Sequence, residues 1–184
     1  MKLPGSLQQI PRLTFFSIAF AIGLTRVAGA ETIPVPNRYI SIQEAIEAAE
    51  AGDTILVGSG VYKLHSGNIV ISQKYLTLRS DLGPEETVLE GRTDGPVITV
   101  GENSQPVIDG FTITSLHNEG TETLKGGAIY CASSSSPQIV NNIISGNRAI
   151  FGGGIYCAPS SSPMISGNVI SNNIAVQSGG GVCC

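Results

Sequence analysis

The chain of 184 residues is 41% hydrophobic, 13% charged and 5% aromatic, with no Trp, 23 Gly, 10 Pro and a net charge of -4. So much Gly and Pro excludes a helical bundle or coiled coil, because both residues are poor in helix interiors. The hydrophobic content excludes a chain disordered by low hydrophobicity, and the acidic balance gives no footprint for nucleic acid, which calls for basic patches.

Lys2 and Arg12 precede an apolar run from Leu13 to Leu24, and Ala28-Gly29-Ala30 follows it. A basic stretch, a short apolar core and a small-x-small ending predict an export signal over 1–30, cleaved after Ala30. The run is shorter than the roughly 20 apolar residues that span a bilayer, so no membrane span is expected in the mature chain. Arg26, just before the cleavage site, leaves an uncleaved anchor as the other reading. The mature protein is expected to be extracellular, at the cell surface or in the periplasm.

Residues 31–53 are expected to hold an N-terminal strand and a capping helix. Ile42, Ala45, Ile46 and Ala49 share one helical face, which predicts a helix over 42–51. Ser41 and Glu44 form a capping box at its start, and Gly52 reads as its left-handed stop.

Helical periodicity then vanishes. Short apolar strands are predicted at 54–57, 68–71, 75–79, 87–89, 97–100, 107–108 and 111–114, separated by Gly, Pro and Asp turns such as Gly58-Ser59-Gly60. His65 and His117 fall in predicted loops. Leu116–Lys125 reads as a longer polar loop leaving the core, where ligand contacts concentrate. Asp81, Glu85, Glu86, Glu90 and Asp94 cluster in sequence; calcium is one reading and solvated turns the other, since EF-hand spacing is lacking.

The decisive feature is an internal repeat. Gly126-Gly127-Ala128-Ile129-Tyr130-Cys131 returns as Gly152-Gly153-Gly154-Ile155-Tyr156-Cys157 and again as Gly179-Gly180-Gly181-Val182-Cys183-Cys184. Between them, Ser136–Asn147 returns as Ser162–Asn173, and the extra residue of the last copy is placed after Asn173, where Ile174–Ser178 replaces Arg148–Phe151. An older copy, Pro106–Ile113, matches Pro137–Ile144. No single copy can bury a core, so the copies must stack in register, each strand bonded to its equivalent about 4.8 Å away. Inward columns are then Ile129/Ile155/Val182, Cys131/Cys157/Cys184, Ile139/Ile165 and Ile144/Ile170. Tyr130, Tyr156 and Cys183 face outward, and Asn142 stacks on Asn168 at a corner. The expected architecture is all-β: a right-handed parallel β-helix of roughly five coils over 54–184, with a short N-terminal capping α-helix.

The stretch Ser41–Ile46, Gly52-Asp53-Thr54-Ile55, Gly60-Val61-Tyr62, Asn68–Ile71 and Leu76-Thr77-Leu78 resembles the opening of pectin-lyase-like right-handed parallel β-helix proteins. The GGAIYC…SSPQIVNNIISGN repeats resemble the bacterial secreted branch of that superfamily. The resemblance implies an N-terminal cap, coils and an exported solenoid, and leaves activity open among lyases, hydrolases, esterases, adhesins and passive surface proteins. The family's acid–base machinery is not matched: from Gly127 to Cys184 there is no Asp, Glu or His, and Arg148 is the one charged residue.

No catalytic, cofactor-binding or metal-binding residue is assigned. Tyr130 and Tyr156 either stack on sugar rings or cover neighbouring side chains. The cysteines either form a ladder of reduced thiols or join Cys131 to Cys157 between coils. Cys131, Cys157, Cys184, Asn142 and Asn168 are the structural ladder residues. The sequence stops inside a third copy, so continuation beyond Cys184, or stacking of that end on a partner, is expected. The leading functional expectation is a non-catalytic exported surface or binding module, with polysaccharide or another cell-surface partner. The rival is the N-terminal part of a secreted polysaccharide lyase or hydrolase with its catalytic coils further on, and a third is a structural stalk.

Overall fold

A computed structural model describes residues 29–65, 67–92, 95–115 and 123–184. The predicted export signal, except for its last two residues, lies outside them, as do His117 and Asp94. Short parallel strands stack into a right-handed solenoid of about five turns.

Three long sheets and a short one form its walls. The first sheet stacks Thr32–Val35, Thr54–Val57, Thr77–Ser80, Val107–Asp109, Gln138–Val140 and Met164–Ser166. The second stacks Gly60–Leu64, Thr87–Gly91, Thr112–Ser115, Ile143–Ser145 and Val169–Ser171. The third stacks Ile69–Ile71, Ile98–Val100, Ile129–Cys131, Ile155–Cys157 and Val182–Cys183, and the short sheet stacks Thr123–Lys125, Arg148–Phe151 and Ile174–Ser178. Period-2 alternation turns the middle side chain of each triplet inward in the first two sheets and the two flanking ones inward in the third. Ile33, Ile55, Leu78, Ile108 and Ile139 form one buried column, Leu89, Ile113 and Ile144 a second, and Ile69, Ile98, Ile129 and Ile155 a third. The first column also includes Ile33 opposite Ile55.

The helix spans Ile42–Ala48 and buries Ile42, Ala45 and Ile46 over the end of the stack. Ser41 Oγ accepts from the Glu44 N–H at 3.1 Å. The helix ends three residues before the expected position because Lys74 intervenes. Its ammonium donates to the carbonyls of Ile46, Glu47 and Ala49 at 2.5, 2.9 and 2.7 Å, while Ala49 turns extended. Gly52, at φ +91°, serves the following turn, and its N–H goes to Tyr75 O. Asp53, 1% exposed, accepts from the N–H groups of Glu31 and Glu50 and so ties the first strand to the end of the helix.

Two further expectations are corrected. Gly60 does not close a turn but opens the strand Gly60–Leu64, paired with Thr87–Gly91. The predicted loop 116–125 ends in a strand, Thr123–Lys125, paired with Arg148–Phe151; residues 116–122 lie outside the described residues. The extra residue of the last repeat falls where expected, within Ile174–Ser178 opposite Arg148–Phe151. Arg148 and Ala149 pair with Ile174 and Ala175, and the register shifts only before Phe151 meets Ser178, so a β-bulge absorbs it.

Candidate functional site

The repeat places its most distinctive side chains on the third sheet. Ile129 and Cys131 turn inward, so Tyr130 between them must face out, and the same holds for Tyr156 between Ile155 and Cys157. Register pairing sets one tyrosine over the other. Their rings are parallel within 3°, with centroids 5.8 Å apart, an offset stack on the outer wall. Lys125, at the end of the short sheet, brings its ammonium 4.9 Å from the centre of the Tyr156 ring, a cation–π contact.

The glycines that precede these strands make the corner tight. Gly126, Gly152 and Gly179 have φ between +62° and +69°, a conformation that a residue with a Cβ adopts only under strain. Gly153 approaches so closely that a Cβ there would lie 2.5 Å from Ile174 O and 2.6 Å from Gly180 O.

Asparagines hold two other corners. Asn142 is buried, donates from its amide to Ile108 O and Val140 O, and accepts from the Phe111 N–H at 2.9 Å. Asn168, one coil on, donates to Ile139 O and Ser166 O. A second pair, Asn147 and Asn173, does the same work: Asn147 donates to Ile113 O and Ser145 O, and Asn173 Oδ1 accepts from both the Asn147 N–H and its amide. Sequence reasoning missed this pair, although both residues recur at the repeat step.

The cysteine column is in register, Cys131 beside Cys157, with Cys183 facing outward beside Tyr156. All four cysteines are free thiols, and no bond joins Cys131 to Cys157. The close sulfur contact is elsewhere: Cys184 Sγ lies 2.9 Å from Cys157 Sγ. Burial pushes the Cys131 thiol up to about 12, and the nearby Cys184 adds to the shift. Cys157 is also raised, first by burial and then by its contact with Cys184.

The remaining charged groups are dispersed. Asp81, Glu85 and Glu86 are exposed, Glu90 pairs with Arg92 at 2.6 Å, and Asp109 faces Arg79 at 3.6 Å while accepting from the Asn141 amide. Among the described residues no three His, Cys, Asp or Glu side chains converge as a metal site. His65 is exposed at the rim of a cleft of about 240 Å³ beside the helix, which Ser41, Gln43, Lys63 and Asn68 also line. Gln43 braces that cleft by bonding both ways to the Val70 backbone. Tyr62, from the Gly-x-Tyr segment, donates to Gly58 O at 3.0 Å, and burial raises its hydroxyl above the usual range. It is therefore a packing residue of the first coils. Among the described residues no helix is long and apolar enough to cross a membrane.

A search of curated proteins finds no matching relative. The family model described as "Right handed beta helix region" matches residues 41–184, from the capping helix through every coil that follows it. The columns, the parallel register and this match agree, and the chain belongs to the right-handed β-helix family.

Proposed function

We propose that the protein is a non-catalytic, exported binding module that offers the outer wall of its coils to a polysaccharide or similar cell-surface partner. The observation that carries this reading is the parallel Tyr130–Tyr156 stack beside Lys125. Aromatic rings held in fixed register on a rigid wall present apolar area, and their hydroxyls present polar tips, at little ordering cost. A sugar ring combines the same two surfaces. Glycan hydrolysis uses a pair of carboxyl groups flanking the bond that breaks, and the repeat coils 127–184 contain no Asp or Glu.

The test exploits the lack of Trp: intrinsic emission comes from tyrosine alone, five residues in all. The full chain is titrated with pectins and other glycans while tyrosine emission is followed. Saturable binding that Tyr130→Ala and Tyr156→Ala each weaken at least tenfold supports the reading. Release of unsaturated or reducing sugars by the purified chain overturns it, as does binding indifferent to both substitutions.

A further inference from the structure

We infer that Cys157 and Cys184 are a redox-modification site, which closes as a disulfide between two neighbouring coils when the protein meets a small-molecule disulfide. Three sulfurs share the inner column, but they are not equivalent. Cys131 is fully buried, Cys157 is 5% exposed, and Cys184 is open to solvent. Cys183 cannot substitute for Cys184, because alternation puts it on the outer face beside Tyr156.

Geometry selects the pair. The two sulfurs are 2.9 Å apart, so a bond of about 2.05 Å needs an approach of roughly 0.9 Å. Cys157 and Cys184 directly follow the paired residues Tyr156 and Cys183, where parallel strands lie about 4.8 Å apart, inside the roughly 4.4–6.8 Å that a disulfide spans. Accessibility selects the order of events. Cys184, as thiolate, attacks the external disulfide, forming a mixed disulfide and expelling one external thiolate. Cys157 then gives up its proton and attacks the Cys184 sulfur, expelling the second. The two protein thiols are oxidised, the reagent is reduced to two thiols, and the two protein protons end on them. The bond pins the strand Val182–Cys183 to Ile155–Cys157 from the inside, leaving the tyrosine wall untouched, so it stands or falls separately from glycan binding.

The reduced full chain is equilibrated with oxidised glutathione, then cleaved in acid with cyanogen bromide. Met164 is one of only two methionines and separates Cys157 from Cys183 and Cys184. The fragments on either side of Met164 are expected to stay joined, without bound glutathione, until a reductant is added. The same holds for Cys183→Ser. Cys157→Ser and Cys184→Ser are each expected to release the fragments. Fragments that separate in the unaltered chain, that stay joined in Cys184→Ser, that link two chains, or that carry only glutathione overturn the assignment.

Discussion

Asn142 and Asn168 share one oxygen: Asn168 Oδ1 accepts from the Asn142 backbone N–H at 2.8 Å and from its side-chain amide at 3.1 Å. Each corner asparagine therefore bonds back to the coil before it and to its own strand. The unit is a chain of bonds running along the solenoid axis, and each link depends on its neighbours.

Asn142→Ala removes donors to Ile108 O and Val140 O and leaves the buried Phe111 N–H without its acceptor. Unsatisfied buried groups cost about 1–3 kcal/mol each. A loss of about 2–4 kcal/mol in urea unfolding is expected. Asn168→Ala, on a more exposed coil, is expected to cost less than half as much.

Gly153→Ala introduces a Cβ against two backbone carbonyls, neither of which can move without breaking the stack. A loss of about 2 kcal/mol or more is expected, in the range for overpacking. Gly180→Ala meets only Asn173 O at 3.1 Å and is expected to be markedly milder. Paired thermal melts of the two variants make the comparison.

Lys74→Met keeps the aliphatic stem but takes three hydrogen bonds from the end of the helix. Charge-assisted bonds at helix carbonyls support a loss of about 1–2 kcal/mol. Amide exchange should quicken in residues 42–49 and stay unchanged in the coils around Ile144. Uniform acceleration across the whole chain counts against a local role for Lys74.

Cys131 gives the reduced protein an alkaline limit. Its pKa rises from an ordinary 9.0 to about 12 on folding. A thiol with a raised folded pKa contributes stability that is complete below the unfolded value and lost as pH climbs toward the folded one. Under a strong reductant, stability is expected to fall from about pH 9 upward, and Cys131→Ala should flatten that slope. Urea midpoints from pH 7 to 11 test it, and equal slopes in both proteins would disprove it.

Legibility followed periodicity. Ile129/Ile155/Val182, the tyrosine register and the Asn142–Asn168 corner could be read because each recurs at the repeat step and alternation fixes its face. Lys74 could not, because it meets the helix 25 to 28 residues away in a coil without a copy. Lys125 was hidden as well, since Thr123-Leu124-Lys125 lacks the apolar alternation that marks the other strands and read as loop. The cysteine column was visible, but its closest sulfur pair depended on side-chain placement rather than on spacing. Binding was the least legible layer, because a stacked tyrosine pair serves as a wall element whether or not it meets a ligand.

Coil length is not constant in this protein, yet pairing is. Equivalent positions are 22 residues apart at the first coil, 31 where Asn142 reaches Phe111, and 26 between Asn142 and Asn168. The fold thus counts corners, not residues. Extra residues between strands, such as those between Thr112–Ser115 and Thr123–Lys125, leave every column aligned, whereas a single residue added inside a strand triplet exchanges its inner and outer faces. Such a chain can acquire new surface at its bends without renegotiating its core.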